Sequence, residues 1–304
     1  MRAMARHRLA AVLAGAGAIW LTLLSAAAQE VRPLYAGPAP GSENWTLPEE
    51  ARNTPDGTTY FNVSAPSFTA YLPARDKANG MAVIILPGGG LRLLGVDKDT
   101  HSVIRRLNDA GIAAFILKYR ILQMPPPTPT PPRADPMPAP KFPRMDIRNA
   151  NANPAPGNAQ LTQVLEMAVA DTRRAMAMIR QDAAHWRIDP QRIGLMGTSA
   201  GGGVAIGTLL AQAPTDRPIF IASLYGPALQ DVTVPTDAPP LFLATDSNHG
   251  AVTDGLVALF SMWKRADRPA ELHSYEVPAF DFPSSLWLDR FMAWLGRTFP
   301  AAKR

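Results

Sequence analysis

Short, nearly continuous apolar runs alternate along this chain with longer stretches whose apolar positions recur three and four residues apart. The runs are Phe68–Ala74, Met81–Gly90, Ile112–Arg120, Arg192–Gly197, "IFIASLY" and "PLFLAT", with "AELHSYE" as a last, more polar strand. Helical spacing is predicted over Asp99–Ala110, Leu161–Trp186, Ala200–Gln212, Val252–Ala266 and Leu286–Phe299. In the longest helix the apolar positions are Leu161, Val164, Leu165, Ala168, Ala175, Met178 and Ile179. Strands apolar on both sides, separated by helices, predict a mostly parallel, doubly wound sheet covered on both faces. Ligand sites in such sheets lie beyond the carboxyl ends of the strands. The loops that matter therefore follow Leu86, Tyr119, Gly197, Tyr225, Thr245 and Glu276.

Two of these loops carry recognisable chemistry. Gly197-Thr198-Ser199-Ala200-Gly201 fits G-x-S-x-G between a strand and a helix, the turn that exposes a serine nucleophile at the top of an α/β-hydrolase sheet. The glycines leave room where side chains would collide with neighbouring chain. The competing reading is a glycine-rich turn with an incidental serine. "LPGGG" (Leu86–Gly90) closes an earlier strand. Backbone N–H groups of Gly89 or Gly90 could join that of Ala200 in an oxyanion hole, which holds the charge of a tetrahedral intermediate. A phosphate-cradling role is excluded, because no G-x-x-x-x-G-K-[ST] is present.

The chain resembles exported α/β-hydrolase esterases related to acetyl-xylan and feruloyl esterases. The stretches that carry the resemblance are "APGSENWTLPEE", the "LPGGG" junction, "LNDAGIAAFILKYR", "WRIDPQRIGLMGTSAGG", "APPLFLA" and "RPAELHSYE". The resemblance implies ester hydrolysis on carbohydrate substrates through a Ser–His–Asp triad in the order Ser, acid, His. The sequence departs from that pattern at the places that should supply the base and its acid. The loop "TDSNHGAVTD" stands where relatives have A-D-D-x-V-V-P, so the usual acid position falls near Asn248 or His249. "VPAFDFPSS" stands where relatives have G-G-H-G-F, so the usual histidine position falls on Phe280 or Asp281. A third departure is "GGGLRLLGVDKDTH", where relatives tend to have an aromatic after the glycines and an acidic residue near Lys98.

A base must reach the Ser199 hydroxyl directly or through one water. His7 falls in the N-terminal leader. His185 feeds the nucleophile strand from the opposite sheet edge, and His273 lies within a strand. His101 is at the correct edge, but helix geometry directs its side chain along the helix. His249 is the remaining candidate. Its loop follows a strand two places from the nucleophile strand, about 10 Å away. Asp246, Asp281 or Asp254 could orient its ring, giving a rearranged triad with the histidine where the acid usually stands. The alternative is a solvated loop histidine.

Composition narrows the setting. The chain has no Cys, which excludes disulfides and thiol chemistry, and 5 His. Arg2, Arg6 and Arg8, then the uncharged Leu9–Leu24, then Ala26 and Ala28 make a secretory signal with cleavage after Ala28. The apolar run is shorter than the ~20 residues of a membrane span. Without that leader the net charge falls from +5 to +2, and no clustered basic face points to nucleic acid. Gln123–Gln160 holds 12 of the 31 Pro and can form neither helix nor ladder strand. It is either a disordered insertion or a flap over the site. The expectation is a signal peptide over 1–28 and one α/β-hydrolase domain over 29–304 carrying the 123–160 insertion. Its function would be that of a secreted or periplasmic serine esterase with no metal or cofactor. The expected partner is a small-molecule or oligosaccharide ester substrate, with no nucleic acid and no stable membrane association after signal cleavage. The alternative from another class is a catalytically silent protein of the same fold that binds a saccharide or a periplasmic partner.

Overall fold

The structure is a computed structural model that describes residues 29–125, 145–279 and 281–300. The expected signal segment, its cleavage point and the centre of the proline-rich insertion lie outside those residues. Eleven strands and six helices follow in chain order among the described residues. They are β1 (Glu30–Pro33), β2 (Glu50–Thr54), β3 (Gly57–Phe61), β4 (Ser67–Tyr71), β5 (Gly80–Leu86), β6 (Leu94–Asp97), α1 (Lys98–Asp109) and β7 (Ala113–Lys118). After the insertion come α2 (Ala159–Gln181), α3 (Ala183–Trp186), β8 (Ile188–Thr198), α4 (Ala200–Ala211), β9 (Ile221–Leu224), β10 (Leu241–Asp246), α5 (Ala251–Arg265), β11 (Ala270–Tyr275) and α6 (Ser284–Thr298). The single helix expected over Leu161–Trp186 is divided after Gln181, where Asp182 leaves helical geometry.

The main sheet has eight strands in the order β1-β4-β7-β5-β8-β9-β10-β11. Pairing is antiparallel from β1 through β4 to β7 and parallel from there to β11. This is the α/β-hydrolase arrangement expected. The strand period decides which core each side chain enters. In β5, Ala82, Ile84 and Leu86 pack with Leu165 of α2, Leu209 of α4 and Trp263 of α5. Met81, Val83 and Ile85 pack on the other face with Val103 of α1 and Phe291 of α6. Both faces are covered, so the central strands had to be apolar throughout.

A buried ion pair fixes the edge near the site. Arg120, just after β7, forks onto Asp171 of α2, with Nη2 to Oδ1 at 2.8 Å, and also donates from Nη1 to the Pro40 carbonyl. Burial pushes the Asp171 carboxyl up, against the bonds and charge of Arg120 that favour its ionised form. The pair ties the segment before β2 to the sheet. A second, antiparallel sheet β2-β3-β6 leads directly into α1.

Candidate active site

The first turn is built around Ser199. β8 ends at Thr198, α4 begins at Ala200, and Ser199 between them has φ 50° and ψ −128°. Such backbone costs of order 1–3 kcal/mol in a non-glycine residue and persists only where the surroundings impose it. Here the surroundings do. The Ser199 N–H donates to Leu224 O at 2.9 Å, and Ser199 O accepts from the Gly202 N–H at 2.9 Å. The glycines of the motif are required for space: a Cβ on Gly197 would stand 2.2 Å from Gly201 O, and one on Gly201 would stand 2.0 Å from Leu86 O.

The glycine loop after β5 lies against this turn. A Cβ on Gly88 would sit 2.9 Å from Thr198 O and 3.0 Å from the Ser199 Cβ. Buried Tyr119 donates its hydroxyl to Pro87 O at 2.5 Å, and burial pushes its phenol upward, so the donor keeps its proton. Gly88, Gly89 and Gly90 all border a cavity shared with Ser199. Ala200 opens α4, whose first N–H groups have no partner within the helix and carry the positive end of its dipole.

The second turn follows β10. Asp246, expected in the loop, is the last residue of the strand and is fully buried. His249 is only 3% exposed, which rules out a solvated loop histidine. Its Nδ1 lies 3.0 Å from Asp246 Oδ2. With the carboxylate as acceptor, Nδ1–H is the donor in this contact, and Nε2 is the ring nitrogen not engaged by Asp246. The other carboxylate oxygen, Oδ1, is buried with no hydrogen-bond partner among the described residues. Neighbouring chain holds the loop in place. Ser247 donates its N–H to Tyr275 O at 2.8 Å and its hydroxyl to Glu276, and Asn248 Nδ2 donates to Glu276 Oε1 at 3.0 Å and to Val277 O at 2.8 Å. Those two side-chain bonds hold the Glu276 carboxyl below its usual range.

Tyr225, which the sequence marked only as the end of a strand, joins the two turns. Its ring stacks on His249 with centroids 6.2 Å apart and an 18° interplanar angle. Burial pushes its phenol up to about 12, reinforced by the charges of Asp97, Asp99 and Asp246, while a side-chain hydrogen bond with Thr198 opposes the rise.

Asp281 is exposed, and the carboxylate on the His249 ring is that of Asp246. Phe280 lies outside the described residues. The loop where a histidine was expected is put to another use. Phe282 packs on Tyr225, centroids 5.5 Å apart, and the Ser284 N–H donates to Asp99 Oδ2 at 2.8 Å, so α1 caps α6. His101 packs against Tyr71, His185 pairs with Glu30 at 2.8 Å, and His273 pairs with Glu271 at 2.8 Å. Among the described residues, no group of three metal-binding side chains is placed to hold an ion.

Ser199 and His249 border two cavities. One, of about 610 Å³, is also lined by Asp97, Asp99, Tyr225 and Trp287. The other, of about 270 Å³, is lined by Leu161 and Leu165 of α2, Ala251 and Val252 of α5, and by Leu91, Met145 and Leu229 from loops, with Arg92 and Asn153. Sequence reasoning missed Trp287 and the two carboxylates, which lie far from Ser199 along the chain and share its cavity only through the placement of β6, α1 and α6.

Residues 162–277 match a family model described as the alpha/beta hydrolase fold. An acetylxylan esterase of Xylanibacter ruminicola is 25% identical over 156 residues, 51% of this chain; the match spans only 24% of that relative's length. The fold is similar to that of an acetyl ester-xyloside bifunctional hydrolase from Caldicellulosiruptor lactoaceticus, with TM-score 0.56 and 19% identity over 88% of this chain and 96% of that one. A carboxylesterase from Lactobacillus plantarum superimposes with TM-score 0.54 and 15% identity over 85% of this chain and 100% of that one. The chain is a protein of the α/β-hydrolase fold, similar to esterases that share it.

Proposed function

We propose that this protein is a serine hydrolase of carboxylic esters, with Ser199 as nucleophile, His249 as base and Asp246 as the acid behind it. The observation that carries this reading is the buried Asp246–His249 pair on the wall of the cavity that Ser199 also borders. The chain order Ser, acid, His is kept, but the histidine comes from the β10–α5 turn and not from the loop after β11.

In the first half-reaction His249 Nε2 takes the Ser199 proton as Oγ attacks the ester carbonyl. The carbonyl oxygen becomes an oxyanion and accepts from the N–H groups of Ala200 and Gly89 or Gly90. Asp246, ionised and bonded to Nδ1–H, stabilises the imidazolium. Collapse of the intermediate breaks the bond to the alcohol oxygen, which leaves with the proton from Nε2. Water then hydrolyses the acyl-enzyme by the same relay, and Ser199 regains its proton.

A carbohydrate ester as substrate is supported by the acetylxylan esterase match and by the acetyl ester-xyloside hydrolase of like fold. Export is supported by the leader pattern over residues 1–28. The mature protein should react with a fluorophosphonate probe at Ser199, and Ser199→Ala should not. A folded protein that stays unlabelled would reject the hydrolase reading and favour the silent, ligand-binding alternative.

A further inference from the structure

The two cavities that meet at Ser199 differ in chemistry. The smaller is walled by Leu161, Leu165, Leu229 and Val252, with Met145 and Ala152 from the return of the proline-rich insertion; no carboxylate lines it, and its polar lining beyond Ser199 and His249 is Asn153 and the exposed Arg92. The larger is also lined by apolar side chains, Val103, Met196 and Trp287 among them, but it adds the polar groups of Asp97, Asp99, Thr100 and Tyr225. Pro154, like Gly90, borders both. Its segment is firmly held. Ala152 donates its N–H to Ala228 O at 2.9 Å, and Asn153 Nδ2 donates to Leu229 O at 3.1 Å. Asn149 and Asn151 both donate to the Asp231 carboxylate, at 3.1 and 2.8 Å. The return of the insertion is therefore a fixed wall of the site.

A sugar hydroxyl moved into the apolar cavity would lose its water partners and find few replacements, whereas an alkyl chain would gain from every buried carbon. On the side of Asp97 and Asp99 a hydroxyl meets carboxylates, although Asp99 already accepts from Ser284 and Asp97 Oδ1 from Thr100. An acetyl methyl alone would leave most of a 270 Å³ cavity unfilled. His249 borders both cavities, so an alcohol oxygen departing on the polar side has its proton donor at hand.

Granting Ser199 as nucleophile, we propose that the apolar cavity is an acyl pocket for a saturated chain longer than acetyl. The substrate class is then an amphiphilic ester: an alkanoyl chain of butanoyl to hexanoyl length on an uncharged polyol whose hydroxyls face Asp97 and Asp99.

The test is a series of p-nitrophenyl esters from acetate to hexanoate. kcat/KM should rise about fourfold per added methylene, and Leu165→Trp or Val252→Trp should cut the hexanoate-to-acetate ratio at least ~tenfold. Ser199-dependent turnover that is flat, or fastest on acetate, overturns the acyl pocket and leaves the hydrolase reading standing. Calorimetry on Ser199→Ala, which needs no turnover, reads the cavity separately. Hexanoate should bind at least ~tenfold more tightly than acetate, and either tryptophan variant should erase the difference. Selective hexanoate binding by a protein without turnover supports the cavity assignment and removes the catalytic reading. Equal affinities for the two acids overturn the proposal.

Discussion

Two strand-to-helix turns face the same cavity with nearly the same backbone. Ser199 has φ 50° and ψ −128°, and Gly250 has φ 54° and ψ −122°. In the β8–α4 turn the strained residue is the proposed nucleophile itself. In the β10–α5 turn a glycine takes the same dihedrals without steric cost, and the functional side chain, His249, stands one residue earlier. The difference shows what the strain is for. A side chain thrown outward from the turn must occupy the strained position, whereas one directed back toward its own strand end, where Asp246 waits, need not. Tyr225 keeps the two turns in register, stacked on His249 and hydrogen-bonded to Thr198.

Exchanging the residues tests this contrast. Gly250→Ala forces a Cβ into the disfavoured region and should cost about 1–3 kcal/mol in urea unfolding. If the turn yields by ~1 Å, esterase activity should also fall by up to ~10²-fold. A fully stable, fully active Gly250→Ala would show that the second turn does not depend on its glycine.

The bridge between the turns has its own signature in alkali. The Tyr225 phenol has its ordinary value of 10.0 in the unfolded chain and about 12 in the fold. The folded state therefore holds this proton more tightly. Its contribution to stability is complete below about pH 10 and is lost as the pH rises from there toward about 12, at about 1.4 kcal/mol per pH unit. Other raised phenols, Tyr119 among them, add to the total slope, so the comparison is with Tyr225→Phe, whose unfolding should be less steep across that window by this amount. An unchanged slope would remove Tyr225 as the buried link. The smallest effect belongs to the first turn: Ser199→Gly relieves its strain and should raise stability by about 1 kcal/mol, net of the entropy cost of glycine. A loss of stability there would deny that Ser199 is strained.

The sequence was most informative where the physics is local. Parallel strands buried on both faces must be apolar throughout, so β5, β7, β8 and β10 stood out as runs. Ser199 stood out because its turn needs small residues two positions away on either side. β2 and β3 were not seen, because "EARNT" and "GTTYF" form a partly exposed ribbon with little apolar signal. The loop that holds His249 was found, but not the burial of that side chain. The loop around it is tied through Ser247 and Asn248 to Tyr275 at the end of β11 and to Glu276 and Val277 beyond it, contacts that have no trace in the spacing of "TDSNHG". The choice of Asp246 over Asp281 was likewise tertiary: it turned on Asp246 ending β10 as a fully buried carboxylate and on the chain around Asp281 being drawn toward α1 by Asp99.

The most direct test of the central claim, that Ser199, His249 and Asp246 act as one unit, is a double-mutant cycle on ester hydrolysis. Ser199→Ala and His249→Ala should each lower kcat by ~10⁴-fold or more, and the double variant should lose no more than either alone. Losses that multiply, or a His249→Ala enzyme of near-normal activity, would contradict it.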